Sequence, residues 1–265
     1  MVGNECGNGI NVYLGVGNGT FQAPTVLGGT GVSDVYRVVV ADFNGDGNLD
    51  VAGTVIIGSA VEVYLGTGTG TFGTGTAVTA VGGPWSLSTG DFDGDGNVDL
   101  AVGSNQNDGF VILLGNGDGT FKAPVAGIAS GNILAIASAD LNNDGKQDLV
   151  TIQNTGVAQI WTGNGDGTVA APVTLGSGSS AYGIALGNFL APGGLNVATT
   201  SGSGANVFVP TAFLTPRNFG FGDVNLGSAP QQIFTLTNAT PSALAPVSIA
   251  CGRLTLVHRK RRRCL

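Results

Sequence analysis

Histidine, cysteine and basic residues are scarce in this chain of 265 residues, and their scarcity excludes several kinds of site. His258 is the single histidine, so residues 1–250 offer no histidine-based catalytic dyad or zinc site. Cys6, Cys251 and Cys264 are too few and too scattered for a disulfide framework. Only four basic residues stand in residues 1–250, against all 17 acidic ones, so the sequence predicts no nucleic-acid partner.

Long apolar runs and a leader sequence are missing as well. No stretch of about 18 or more apolar residues occurs, so the sequence predicts no membrane span. The first ten residues, MVGNECGNGI, lack the basic start and the apolar run of a secretory signal. We therefore expect that, if the protein is secreted, this chain is part of a longer one.

Glycine and small apolar residues are abundant. The chain has 47 glycines, and 42% of its residues are hydrophobic, so it has material for a sizeable core. Glycine does not recur at every third position, which excludes collagen. The apolar content also argues against disorder. High glycine together with valine, isoleucine, leucine and threonine favours many short strands joined by tight turns.

Three acidic loops of nine residues recur at a fixed interval. They read DFNGDGNLD (42–50), DFDGDGNVD (91–99) and DLNNDGKQD (140–148), and their first aspartates are 49 residues apart. Each loop places oxygen-bearing side chains at positions 1, 3, 5 and 9, and a glycine at position 6. Oxygen ligands at this spacing suit calcium, which takes six to eight of them in flexible geometry. We expect about three Ca²⁺ ions.

The predicted metal ligands follow the same positions in every loop. Position 7 is expected to offer its backbone carbonyl, and the other positions their side chains. The ligands are Asp42, Asn44, Asp46, Asn48 and Asp50 in the first loop, Asp91, Asp93, Asp95, Asn97 and Asp99 in the second, and Asp140, Asn142, Asp144, Lys146 and Asp148 in the third.

The loops have two alternative interpretations. An EF-hand requires a glutamate at position 12 and flanking helices, but position 12 is Gly53, Val102 or Thr151 and the flanks look like strands. The loops could also be metal-free turns, because Asp, Asn and Gly favour turns in any case. Asp118 and Asp166, in the glycine turns described next, are interpreted as turn residues, with a second ion site as the alternative.

A glycine-rich turn recurs at nearly the same interval as the acidic loops. It reads LGVGNGTF, LGTGTGTF, LGNGDGTF and TGNGDGTV, starting at residues 14, 65, 114 and 162. Short strand-like runs separate the motifs, four in each unit of about 49 residues. Four short antiparallel strands per unit are typical of a β-propeller blade. The sequence therefore predicts an all-β fold of about four blades, in an open or incomplete ring.

The paired motifs resemble the FG-GAP or VCBS repeats of integrin-alpha-like β-propellers, over about residues 8–209. The resemblance implies that each DxDxDGxxD loop joins two adjacent strands and holds calcium. The expected units are residues 1–36 (partial), 37–84, 85–132, 133–181 and 182–209, within a propeller region of residues 1–209. The last unit is degenerate, because NFLAPGGLN at 188–196 lacks the carboxylates, so we expect no metal there.

The C-terminal part differs from the repeats. Residues 210–250 resemble the start of an immunoglobulin-like module of the ASH or choice-of-anchor kind, carried by the segment at 221–228. Residues 251–265 form a basic tail. A basic tail suits nucleic-acid binding or a localisation signal, but its place inside a half-finished module favours an artefactual end.

These observations favour a non-catalytic, calcium-binding repeat protein, secreted or at the cell surface, which mediates adhesion by binding a protein or a glycan. The alternatives are a lectin-type propeller and an accessory module of a larger secreted enzyme. A lectin would use exposed aromatic side chains, whereas packing between blades would bury them. The candidate aromatic residues are Tyr36, Trp85, Trp161 and Tyr182.

Overall fold

The computed structural model describes residues 2–3, 9–28, 34–106, 109–127, 131–177, 182–189, 195–201, 204–208 and 224–225. These residues form five antiparallel sheets in which each strand pairs with the next along the chain. The described residues contain no helix, and so none that is long and apolar enough to cross a membrane. The fold is all-β, as predicted.

The sheets follow one another along the chain. The first contains β1 (Val2–Gly3), β2 (Ile10–Val12) and β3 (Thr25–Leu27). The second contains β4 (Val35–Ala41), β5 (Asp50–Val55), β6 (Ala60–Tyr64) and β7 (Thr76–Thr79). The third contains β8 (Pro84–Gly90), β9 (Asp99–Ser104), β10 (Phe110–Leu113) and β11 (Val125–Ala126). The fourth contains β12 (Ile133–Ala139), β13 (Asp148–Gln153), β14 (Val157–Trp161) and β15 (Val173–Ser177).

The fifth sheet contains β16 (Ile184–Gly187), β17 (Asn196–Ser201), β18 (Gly204–Phe208) and β19 (Val224–Asn225). The sequence predicts that residues 224–225 belong to the partial immunoglobulin-like module. In the structure they form β19, which pairs with Asn206 and Val207 of β18. The rest of that module and the basic tail lie outside the described residues.

The first strands of consecutive sheets lie side by side: β4 next to β8, β8 next to β12, and β12 next to β16. This is the arrangement of propeller blades around an axis. Each of β4, β8 and β12 shifts register near its start, between Val35 and Val38, Pro84 and Ser86, and Ile133 and Ala135. A β-bulge at the same position bends each of these three first strands in the same way.

The core lies between consecutive sheets. Every residue of β5 and of β9 is buried, as expected for strands that are covered on both faces. Between the third and fourth sheets, the rings of Phe110 and Trp161 meet edge to face at 5.1 Å. The Trp161 indole also donates a 2.9 Å hydrogen bond to Thr151 Oγ1, so its polar atom is satisfied inside the core. Trp161 is therefore a packing residue.

Candidate metal-binding loops and their contacts

The three acidic loops join the first and second strands of the second, third and fourth sheets. In each of the first four sheets a glycine turn precedes the last strand and closes through an isolated bridge, as between Gly66 and Phe72. The glycine at position 6 is left-handed in each loop, with φ of 83° at Gly47, 86° at Gly96 and 84° at Gly145. At position 4, Asn143 of the third loop takes φ of 57° where the other loops have glycine.

The first aspartate closes each loop by accepting backbone hydrogen bonds. Asp42 accepts from the N–H groups of Gly45 and Gly47, both at 2.8 Å. Asp91 and Asp140 accept equivalent bonds from the glycine at position 6, at 3.0 and 2.9 Å. These Asx-type bonds hold the loop in shape with its oxygen atoms gathered together.

The position-5 aspartate caps the following turn. Asp46 Oδ1 accepts from the N–H of Asn48 at 2.7 Å, and Asp95 Oδ1 from that of Asn97 at 2.8 Å. These bonds favour the ionised form and lower the pKa of both carboxyls. Asp144 makes the same contact with the N–H of Lys146, at 2.9 Å. The ligand role of the position-7 carbonyls stays a prediction.

The ninth-position aspartate is buried and ties the loop to the glycine turn. Asp99 Oδ2 accepts from the N–H of Phe92 at 2.7 Å, and Asp99 Oδ1 accepts from the N–H of Gly115 at 2.7 Å. Asp50 and Asp148 repeat the pattern through the corresponding amides. Sequence reasoning missed this second role. Its signal is the near-constant spacing from the aspartate to the turn glycine.

The degenerate unit keeps the hydrogen bond at the start of the loop. Asn196 stands at its ninth position, is buried, and accepts a 3.0 Å hydrogen bond from the N–H of Phe189. An amide supplies the acceptor without a charge. Residues 190–194 lie outside the described residues, and the predicted absence of a metal in this unit stays a prediction.

Three carboxylates converge in the second loop. One oxygen each from Asp91, Asp93 and Asp99 lies within 4.8 Å of the others. Burial raises the pKa of Asp99 to about 6, and the charges of Asp93 and Asp91 add to the rise. All donors are oxygen atoms, which fits a hard cation such as calcium better than zinc or copper. Among the described residues, no other acidic group of three is this compact.

A lysine also faces the second loop. Lys122 Nζ lies 3.2 Å from Asp93 Oδ2 and 3.8 Å from Asp95 Oδ2. The corresponding residues of the other units are Gln22, Gly73 and Ala170, so this ammonium is a feature of the third sheet. No local sequence pattern predicts this contact, because 29 residues separate Lys122 from Asp93.

The loops also connect neighbouring sheets. The N–H of Gly119, in the third sheet's turn, donates a 3.0 Å hydrogen bond to the carbonyl of Phe43 in the second sheet's loop. Gly167 donates to the carbonyl of Phe92 in the same way, at 2.9 Å. The glycine turn of one sheet thus holds the acidic loop of the sheet before it.

Asp118 and Asp166 serve the glycine turns themselves. Asp118 Oδ1 accepts from both the N–H and the hydroxyl of Thr120, and Asp166 does the same with Thr168. These bonds lower the pKa of both carboxyls. In the first sheet, Asn18 and Thr20 make the same pair of contacts without a charge. The geometry fits the interpretation of these aspartates as turn residues.

The chain belongs to the FG-GAP-like repeat family. The repeat of that family matches residues 1–53, 55–102, 91–151 and 140–190, which is most of the chain. Among curated proteins, none matches the sequence.

Solved propeller structures share the fold. The BP39L lectin from Burkholderia pseudomallei is similar over 82% of this chain and 66% of its own, with 16% identity and a TM-score of 0.60. BBS1N, solved in complex with ARL6DN, is similar over 80% of this chain and 64% of its own, with 10% identity and a TM-score of 0.51. The chain thus spans about two thirds of the length of these structures. At such identities the likeness concerns the fold alone, and it supports an open, propeller-like arrangement of the repeats.

Proposed function

We propose that this chain is a non-catalytic binding propeller of the cell surface or the extracellular space, whose acidic loops hold calcium and whose surface binds a protein or glycan ligand in adhesion. The approach of Asp91, Asp93 and Asp99 to within 4.8 Å carries the calcium part of the proposal. Three ionised carboxylates so close together repel one another, and a divalent cation offsets that repulsion.

The bound ion would act on structure. Calcium supplies positive charge and accepts several oxygen ligands at once. Asp91 and Asp93 would hold the ion. The Asp99 carboxylate would keep its two backbone hydrogen bonds, so a loop ordered by the ion would also stabilise the glycine turn. Because Gly167 of the next sheet binds the same loop at Phe92, an ordered loop also stabilises the contact between sheets.

Metal-stripped protein tests the calcium part directly. We expect added Ca²⁺ to raise the melting temperature by several degrees, since a ligand at about 100 times its Kd stabilises the folded state by about 2.7 kcal/mol. Mg²⁺ should do less, because it prefers a strict octahedron with several waters. In the matched variant with Asp91, Asp93 and Asp95 changed to Asn, the calcium-dependent rise should shrink. Identical melting with calcium and with excess chelator would overturn the proposal.

Glycan binding is the second candidate, and a pair of aromatic rings in close contact favours it. The rings of Tyr36 and Trp85 lie 3.9 Å apart at 31°, at the start of β4 and β8, and both are half-buried. Partly exposed aromatic rings suit the apolar faces of sugars. A glycan array with the wild type and Trp85→Ala tests this role, and Trp161→Phe is the control because Trp161 lies in the core. Equal glycan binding by Trp85→Ala and the wild type would exclude the Tyr36–Trp85 pair as the glycan-binding site.

An accessory module of a larger secreted enzyme is the remaining alternative, and it agrees with the same binding surface. In that case the chain itself supplies no catalytic group. Hydrolysis of a glycan by the purified chain alone would contradict the proposal.

A further inference from the structure

One face of the second sheet carries a charge that its counterparts lack. Glu62 and Tyr64 lie two residues apart on β6, and their side chains face the first sheet, next to Leu27 of β3. Counted from the turn glycine, the residue at the position of Glu62 is Asn11, Val111 or Gln159 in the other units. A carboxylate at this position is therefore specific to the second sheet.

The turn beside Glu62 departs from the repeat as well. Three units carry Ala-Pro eight and nine residues after the turn glycine, whereas the second unit has Thr74-Gly75. A Cβ atom at Gly75 would lie 2.5 Å from a ring carbon of Tyr64 and 2.8 Å from Glu62 Oε2. The proline of the other units would overlap both groups. The loss of Ala-Pro and the gain of Glu62 thus belong to one local rearrangement.

This rearrangement leaves a cleft of about 490 Å³ between the first two sheets. Its walls are residues 25–28 of the first sheet, Glu62 and Tyr64, and residues 71–75 of the turn, which include the ring of Phe72. The volume falls within the usual range of small-molecule sites, about 300–1,000 Å³. None of these residues belongs to the acidic loops.

The Glu62 carboxylate has no partner among the described residues. Neither a hydrogen bond nor an ion pair reaches it, and burial alone raises its pKa. Its charge contributes, after burial, to raising the pKa of Tyr64 to about 12, so the two groups on this face of β6 interact electrostatically. A partly desolvated carboxylate without a counter-charge is unfavourable, and a cation in the cleft would offset that cost.

We propose that this cleft binds an organic ammonium group, which pairs with the Glu62 carboxylate and lies against the rings of Tyr64 and Phe72. Aromatic rings attract cations through their electron-rich faces, and a carboxylate attracts them by charge. An uncharged ligand would leave the Glu62 charge uncompensated. The site goes beyond the binding function proposed above, and it depends on neither calcium nor the Tyr36–Trp85 pair.

Titration of the whole chain with choline, followed by NMR or calorimetry in excess calcium, tests the proposal. We expect choline to bind, and its uncharged carbon analogue dimethylbutanol to bind at least about tenfold more weakly. Glu62→Gln should reduce choline affinity about tenfold or more. Asp118→Asn is the matched control, since it removes one negative charge elsewhere and the first unit carries asparagine at that position; it should bind as the wild type does.

A second variant and a second probe complete the design. Thr74→Ala with Gly75→Pro restores the sequence of the other units and should abolish binding by filling the cleft. Comparing choline with a blocked lysine derivative shows whether a small molecule or a protein side chain is the better source of the ammonium. The proposal would be overturned if choline did not bind, or if dimethylbutanol bound with the same affinity as choline. Unchanged choline binding by Glu62→Gln would also overturn it, as would a neutral monosaccharide that displaces choline with higher affinity. None of these outcomes bears on the calcium test.

Discussion

The backbone N–H of Gly66 donates a 2.7 Å hydrogen bond to the buried carboxylate of Asp50. The other oxygen of the same carboxylate accepts from the N–H of Phe43, at 2.8 Å. One side chain thus joins the start of the acidic loop to a glycine turn 16 residues further along the chain. We therefore expect the carboxylate to stabilise the fold whether or not a metal is bound.

The first prediction separates this structural role from metal binding. Asp50→Ala leaves two buried N–H groups without an acceptor, each costing about 1–3 kcal/mol, so we expect a large loss of stability in calcium and in chelator alike. Asp50→Asn should lose less, because the degenerate unit uses Asn196 at the equivalent position. The free energy of unfolding from urea titration is the measurement.

Asp93→Asn provides the contrast for that experiment. The first and third loops carry asparagine at this position, so the backbone should tolerate it. We expect its loss of stability to appear in calcium and to vanish in chelator. If Asp50→Ala showed that same dependence on calcium, the carboxylate would act through the metal, and the structural interpretation would be wrong.

The second prediction concerns Lys122, whose ammonium lies 3.2 Å from Asp93 Oδ2. A bound cation and the ammonium compete for the same carboxylates, so Lys122→Gln should raise the calcium affinity of the second loop. The lysine is 46% exposed, and such pairs are worth about 0.2–1 kcal/mol, which limits the gain to about fivefold. Calcium titration at low and high salt is the measurement. The difference between variant and wild type should shrink as salt screens the pair, and a weaker affinity in Lys122→Gln would contradict the competition.

The repeat was predictable because its signals are local. The glycine at position 6 and the runs of strand-forming residues each depend on neighbours in the sequence, and the 49-residue interval repeats them along the chain. The four strand-like runs of each complete unit therefore appear as the four strands of the second to fourth sheets, and Gly47, Gly96 and Gly145 take the left-handed conformation that glycine allows. The family resemblance is confirmed by the same motifs.

The contacts that were missed are all long-range. The bond from Gly115 to Asp99 and the bond from Gly167 to Phe92 join segments that only the packed fold brings together. The pairing of β19 with β18 is of the same kind, since it joins Val224 and Asn225 to Val207 and Asn206. The metal role of the ninth-position aspartates and of the position-7 carbonyls stays a prediction.

The third prediction uses two equivalent glycines in different surroundings. A Cβ atom at Gly66 would lie 2.2 Å from the carbonyl oxygen of Leu49, so the backbone would have to shift. Gly15 is its counterpart in the first sheet, and a Cβ atom there meets nothing within 4 Å. We expect Gly66→Ala to cost about 1–3 kcal/mol. Gly15→Ala should stay within about 0.5 kcal/mol of the wild type. Thermal and urea unfolding measure both, and equal effects would show that the contact with Leu49 does not constrain Gly66.

The fourth prediction is a pH dependence at Glu62. Burial raises the pKa of this carboxyl in the folded chain above its ordinary value of 4.5. A group whose pKa is raised on folding favours the folded state while it is protonated, and that contribution is lost as pH rises through the folded-state pKa. Without a ligand, Glu62→Gln should therefore melt at a higher temperature than the wild type near neutral pH, by a small margin because the side chain is partly solvated.

The advantage of Glu62→Gln should disappear as the pH falls below the ordinary range of a glutamate, where both chains are uncharged at this position. Asp118→Asn is again the control, and its melting temperature at neutral pH should change in the opposite direction. Hydrogen bonds from Thr120 lower the pKa of Asp118, so the ionised form of Asp118 favours folding. Melting curves of the three chains over a pH series, without added amines, give the comparison. A Glu62→Gln protein less stable than the wild type at neutral pH would mean that the carboxylate already has a counter-charge in the folded chain, and the cleft would then have no need of a cationic ligand.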